Sequence, residues 1–542
     1  MDALFNVPTP ENEPVNTYAP GTAERESLQK KLAELAGTRL DLDMNIAGEW
    51  RRGTGAEIEV VQPHKHAHVL GVAREATDAE VADAVAAAKA ARLDWQRTPF
   101  ADRAAVFLRA AELISGPYRD TLNGATMLGQ SKTAAQAEID SACELIDFLR
   151  FNVSFAEGIY RRQPESSPGV WNRMDHRPLD GFVLAITPFN FTAIAGNLPT
   201  APALMGNTVV WKPSPTQQFA AHFLMRVLLE AGLPPGVVNM VTGYGESVSN
   251  VALTDPDLAG IHFTGSTKTF QHLWKTVGEN LTGYRAYPRI VGETGGKDFI
   301  IAHPSAQPQQ LAVAMVRGAY EYQGQKCSAL SRTYMPASLW RGGLKDIVLG
   351  MTEELTYGDV ADFANFGGAV IDHRAFAKHR ALFDRLQGDD KATVLTGGTG
   401  DDSIGYFVEP TLIEATDPTH ELFTEEYFGP IHAVYVYDDA DFETVVRQAS
   451  DIAPYALTGA LFATDRRAIA WASEELRFAA GNYYINDKPT GAVVNQQPFG
   501  GSKGSGTNDK AGSWQNLVRW VSPRSIKENF VPPTDWRYPH QG

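Results

Sequence analysis

Residues 182–240 read FVLAITPFNFTAIAGNLPTAPALMGNTVVWKPSPTQQFAAHFLMRVLLEAGLPPGVVNM. Short apolar runs stand at 182–186, 208–211 and 237–241, and a longer stretch at 217–231 is stopped by Gly232-Leu233-Pro234-Pro235. Short apolar runs bounded by turn residues suit buried strands, and the longer periodic stretch suits a helix. The rhythm continues with a strand at 261–264 and a helix at 268–277. Strands joined by helical crossovers imply a parallel sheet. A nucleotide bound to such a sheet lies beyond the carboxyl ends of its strands.

Working outward, Thr77-Asp78-Ala79-Glu80 is a capping box, and Val81, Val85, Ala88, Ala91 and Trp95 follow it at helical spacing. Residues 1–22 are rich in Pro, Asn and Glu and read as an extended arm. The polar, Pro-interrupted segment 159–181 reads as a protruding hairpin. A second α/β region fills 293–515, and 516–530 alternates like an edge strand that needs a partner, such as another subunit. The length of 542 residues exceeds what one core serves. The expected division is a cofactor domain over 23–158 and 182–292, a catalytic domain over 293–515, and a hairpin with a C-terminal strand and tail over 159–181 and 516–542.

The formal net charge of −16 argues against a nucleic-acid backbone or an anionic membrane as partner. Only two cysteines occur, Cys143 and Cys327, which is no disulfide framework and suits a reducing compartment. The N-terminal stretch has neither a secretory nor a transit-peptide pattern, and no apolar run is long enough to span a membrane, so the cytoplasm is the expected location.

Cys327 lies in GQKCSA, among small and polar neighbours, and Lys326 beside it would favour the nucleophilic thiolate; a buried, inert cysteine fits the segment equally. Cys143 falls on the stripe Ile139, Cys143, Ile146, Leu149 and reads as packing. Glu293, between glycines in VGETGGK, is a candidate general base or a solvated turn residue. Asn190, in TPFNF, can donate to an oxyanion or cap its own turn. Lys212 and Ser214 follow a strand and could hold ribose hydroxyls, whereas the GYGESV string from Gly243 through Gly245 is only a fragment of a dinucleotide fingerprint. His64, His66 and His68 alternate, but no further ligand type lies nearby, so a polar hairpin face is the better reading and no metal is expected.

PFNF, WKPS, FTGS, GETGGK, GQKCSA, EEYFGP and PFGGSKGSG occur in one order between residues 188 and 506. Together the strings resemble the aldehyde dehydrogenase superfamily. That resemblance implies an α/β fold with a Rossmann-type cofactor domain, an α/β catalytic domain and a small β oligomerisation flap. It makes Cys327 the nucleophile, Glu293 the base and Asn190 an oxyanion donor. It implies NAD as cofactor, with Lys212, Ser214, Gly245, Gly265, Ser266, Glu426 and Phe428 around it. The longer strings GAYEYQGQKCSALSR and NDKPTGAVVNQQPFGGSKGSGTNDKAG resemble the branch that oxidises L-glutamate γ-semialdehyde in proline degradation. In that branch Ser328, Gly491 and Ala492 receive a carboxylate without a fixed cation, Phe191 and Phe499 flank the aliphatic chain, and Glu144 and Lys326 pair near the substrate ammonium. The resemblance further implies a homo-oligomer, dimer or higher, and a proline dehydrogenase as partner. Two departures stand out: Phe270 where the superfamily often has glycine, and Pro215 where many members carry an acid for the adenosine ribose. Alternatives are another semialdehyde or aliphatic aldehyde as substrate, an acyl-phosphate reductase, which would not need Glu293, and a silent protein on the same scaffold.

Overall fold

The computed structural model describes residues 5–542; Met1 to Leu4 of the expected arm lie outside the described residues. Two seven-stranded sheets organise the chain. In the first, Arg289–Glu293, Leu258–Thr264, Phe182–Ile186, Thr208–Lys212 and Val238–Met240 run parallel in that spatial order. An antiparallel edge, Met44–Ile46 and Glu49–Arg51, completes it. The central strands are buried except at Ile186, the last residue of Phe182–Ile186, which is why they read as unbroken apolar runs rather than alternating ones. The helices Gln218–Glu230 and Thr267–Glu279 fall within two residues of their expected bounds. Thr77 and Glu80 form the reciprocal capping box that starts Asp78–Arg97.

The second sheet orders Ala392–Thr396, Thr411–Ala415, Ile431–Tyr437, Leu330–Pro336, Asp298–Ala302, Thr458–Phe462 and Asn482–Ile485, all parallel except the first. Only residues 294–297 separate the last strand position of one sheet, Glu293, from the first of the other, Asp298. The carboxyl end of the first sheet therefore faces the amino end of the second across a short link.

The segment 159–181 does not fold back on itself. Its strand Val170–Pro178 pairs antiparallel with Val521–Asn529 of the same chain, forming an exposed two-stranded ribbon. Residues 516–520, expected as part of the edge strand, belong to helical turns instead, because Leu517 and Trp520 are fully buried and Trp520 packs against His262. The histidines also differ from expectation: His64 is buried, with Nδ1 3.1 Å from Ser131 Oγ. Among the described residues no metal-ligand cluster occurs, and no helix is long and apolar enough to cross a membrane. Cys143 is buried as expected, but Ile139 is exposed because 138–144 winds as a π-helix and shifts the face.

The arm lies along the helical side of the molecule. Glu13 pairs with both Arg119 and Arg150. The Asn12 amide donates to Asp147 Oδ2 (2.8 Å) and to the Val494 carbonyl (3.1 Å), and accepts from Gln496 Nε2 (3.0 Å).

One buried pair orients the start of the helix Thr192–Leu204. Asp140 accepts from the N–H groups of Thr192 (3.0 Å) and Ala193 (2.8 Å) and from Lys132 Nζ (2.7 Å). Asp140→Ala would leave the Lys132 ammonium buried without a counter-charge and the helix uncapped. The expected cost is about 3–5 kcal/mol, read as a lower midpoint in thermal or urea unfolding.

Candidate active site

Register brings the first sheet's functional positions abreast. Ile186 is level with Lys212 on one side and Phe263 on the other, and Thr264 with Glu293. Beyond these carboxyl ends lies a cleft of about 550 Å³. Lys212 is buried and donates to the Gly243 carbonyl at 3.1 Å, and burial lowers its ammonium to about 8. Gly245, at φ +110°, closes the loop against it. Ser266 caps the helix Thr267–Glu279 by accepting from the Thr269 N–H (3.1 Å), and Gly265 donates to the Glu293 carbonyl (3.1 Å). Ser214 also lines the cleft.

Two residues reach the cleft from the second sheet's side. Glu426 accepts the Gly296 N–H at 2.9 Å, and a Cβ on Gly295 would sit 2.1 Å from its carboxylate, so the GG pair is a steric necessity. Phe428, at φ +55°, meets Phe189 edge-on at 5.8 Å. Phe270 fills the space glycine would leave, stacking on Phe263 at 5.4 Å over Gly292. Arg374 and Lys378 line the same cleft, and sequence reasoning missed both because only the fold brings the helix His373–Leu386 there.

Cys327 precedes the strand Leu330–Pro336, whose Leu330 is level with Asp298. That register sets the loop carrying Cys327 beside the link that follows Glu293. The turn before it is left-handed at Tyr322, Gln323 and Gly324. Gln323 holds it by donating to the carbonyls of Ser131 (3.0 Å) and Ala369 (2.8 Å), and Gln325 by accepting the Ile371 N–H (2.9 Å). Cys327 Sγ lies 3.8 Å from Glu293 Oε1. Asn190 donates one amide hydrogen to the Gln325 carbonyl at 3.0 Å, which places its amide in the same loop.

Burial, then the carboxylates of Glu293 and Asp298, pushes the Cys327 thiol well above its ordinary value. Lys326 does not offset this, contrary to the sequence expectation: its ammonium is 3.0 Å from Glu321 Oε2, and its charge is engaged there. Nor does Lys326 pair with Glu144. Burial and then the neighbouring Asp140 raise the Glu144 carboxyl to about 8. Glu293 is raised to about 7 by burial, against the pull of its Cys327 contact and of Lys510. A carboxylate so poised can take the thiol proton and, later, a proton from water.

A second cavity, of about 120 Å³, opens on the other side of Cys327. It is lined by Phe191, Phe499, Glu144, Lys326, Ser328, Gly491 and Ala492, all expected, and by Glu321, Lys488 and Thr490, which were not. Ser328 Oγ and Thr490 Oγ1 are 3.0 Å apart. Phe191 is held from behind by Lys132, whose ammonium sits 3.9 Å from the ring centre. Lys132 and Asp140 escaped the sequence reading because their target, the start of the helix at Thr192, is 52 residues from Asp140.

The sulfur thus faces both cavities. The aldehyde dehydrogenase family pattern matches residues 50–524. The chain belongs to the aldehyde dehydrogenase family. It is 47% identical to the Delta-1-pyrroline-5-carboxylate dehydrogenase of Agaricus bisporus over 99% of this chain and 98% of that one. It is also 47% identical to a cattle (Bos taurus) protein named Delta-1-pyrroline-5-carboxylate dehydrogenase, mitochondrial, over 98% of this chain and 94% of that one. Among solved structures, the Delta-pyrroline-5-carboxylate dehydrogenase from Mycobacterium tuberculosis bound with NAD superposes with a TM-score of 0.97 at 58% identity, covering 100% of both chains.

In an aldehyde dehydrogenase that uses this buried carboxyl as its base, the carboxyl would set the acid side of the pH profile. The base form of Glu293 is lost as pH falls through about 7, so kcat/KM should fall on that side. In Glu293→Gln the acid limb should vanish along with most of the turnover. An unchanged profile in initial-rate NADH assays would remove Glu293 from the role.

Proposed function

We propose that this chain oxidises L-glutamate γ-semialdehyde, the open form of Δ1-pyrroline-5-carboxylate, to L-glutamate with NAD, the second step of proline degradation. The observation that carries the reading is the Cys327 sulfur lying between two cavities with Glu293 in contact. The relatives' names and the NAD named with the M. tuberculosis structure support the substrate and the cofactor.

The larger cleft fits a dinucleotide: it lies beyond parallel strand ends, with a buried lysine, a carboxylate and a helix start around it. Lys212, Ser214 and Glu426 would hold ribose hydroxyls, Gly245, Gly265 and Ser266 the phosphate region, and Phe428 the nicotinamide end. NAD supplies there an acceptor for the hydride that leaves the substrate carbon. Cys327 adds to the aldehyde carbon as Glu293 takes the thiol proton. The Asn190 amide and the Cys327 backbone N–H hold the oxygen that becomes negative. Once Glu293 has passed the thiol proton to solvent, it deprotonates the water that attacks the Cys327 thioester; the sulfur leaves as thiolate and glutamate is released. Phe191 and Phe499 clasp the aliphatic chain, Ser328, Gly491 and Ala492 receive its carboxylate, and Glu144 faces its ammonium.

Residues 23–158 and 182–292 serve in this reading as the cofactor domain and 293–515 as the catalytic domain. The segments 159–181 and 516–542 serve oligomer formation in this reading, since the strand Val521–Asn529 is largely exposed and Trp171, faced on one side by Arg173, is half-exposed. A cytoplasmic location and a proline dehydrogenase as supplier complete the proposal.

NADH formation with glutamate γ-semialdehyde, an aldehyde without a carboxylate such as hexanal, and NADP in place of NAD tests it directly. The semialdehyde with NAD should give by far the highest kcat/KM, and Cys327→Ala should lose the NADH burst. Equal rates on hexanal would sink the substrate assignment, and a full burst in Cys327→Ala would sink the thioester.

A further inference from the structure

The carboxylate end of the substrate cavity was expected to work with neutral donors alone, yet it carries a charge cluster. Two ammonium groups share one carboxylate: Lys326 Nζ at 3.0 Å and Lys488 Nζ at 3.5 Å from Glu321 Oε2. All three residues line the cavity. Burial opposes ionisation of Glu321, but the two lysines outweigh it and hold its carboxyl below the ordinary value. The other acid on the wall, Glu144, is raised by burial to about 8 and stands against the substrate ammonium in the reading above. Asp487 is exposed, accepts the Lys488 backbone N–H at 2.8 Å, and does not line the cavity.

Lys488 is fixed where it can act. The chain leaves the edge strand Asn482–Ile485 and is pinned at Asn486, whose amide bridges both backbone groups of Ala463 at 2.9 Å. Pro489 follows. The Lys488 ammonium then donates to the Thr490 carbonyl at 3.2 Å, and a Cβ on Gly491 would lie 2.9 Å from it. Gly491 sits at φ +98°, so the turn and the close approach both call for glycine. The ammonium therefore lies directly against the backbone of the Thr490–Ala492 turn.

We propose that Lys488 is a specificity-determining residue: it sets an ammonium against the Thr490–Ala492 turn at the far end of the substrate cavity, and it braces the turn whose N–H groups meet the substrate carboxylate. The inference rests on the carboxylate-bearing substrate proposed above. A cation behind neutral donors strengthens their hold on an anion and disfavours uncharged aldehydes, which leave the charge uncompensated.

The test compares full-length wild type, Lys488→Met and Lys488→Arg on glutamate γ-semialdehyde and on hexanal. In Lys488→Met, kcat/KM on the semialdehyde should fall about tenfold or more, mainly through KM, while hexanal stays within about twofold. Inhibition by glutamate should weaken in parallel, and Lys488→Arg should recover much of both. Equal losses on the two aldehydes, or unchanged semialdehyde kinetics in Lys488→Met, would overturn the role of Lys488 alone. A wild type that ignores the semialdehyde would overturn the functional reading itself.

Discussion

The 3.8 Å contact between the Cys327 sulfur and the Glu293 carboxylate is the constraint that the surrounding structure serves. Burial raises both groups: Glu293 to about 7, where much of it still acts as a base at neutral pH, and the Cys327 thiol well above its ordinary value, so the thiol needs the carboxylate to take its proton. Such a pair works if it is held in place while a cofactor and a substrate approach from opposite sides. The fold achieves this by ending one sheet at Glu293 and carrying Cys327 in the loop that enters the other, the sheets being joined by the four-residue link 294–297, with the register of Asp298 and Leu330 fixing their separation. A thiol kept protonated until substrate arrives is also protected from oxidation, which favours the thiolate.

Charge is partitioned around that pair. The cofactor side carries Lys212, Lys378 and Arg374 against Glu426 and Asp372. The substrate side carries the Lys326–Glu321–Lys488 cluster. A chain with a net charge of −16 thus gathers cations at the two openings where anionic molecules would enter.

Much of the first sheet was legible because its strands are buried on both faces and its helices have clear stops; 182–186 and 208–211 survive almost unchanged as Phe182–Ile186 and Thr208–Lys212. Cys327, Glu293 and Asn190 were legible as short motifs, and the structure brings them into one place. What failed were readings that treated a neighbour in sequence as a neighbour in space. Lys326 adjoins Cys327 in the chain but gives its ammonium to Glu321. Residues 516–520 alternate like a strand, yet the burial of Leu517 and Trp520 winds them into turns. Lys132, Asp140 and Lys488 act on partners set by tertiary contacts, and no local pattern announces them.

The arm ends up as part of the site's scaffolding. The single amide of Asn12 ties the helix residue Asp147 to Val494, itself part of the cavity wall, and to Gln496 just beyond it. Loss of the arm would therefore reach the cavity wall through Asn12 while also leaving Arg119 and Arg150 without Glu13.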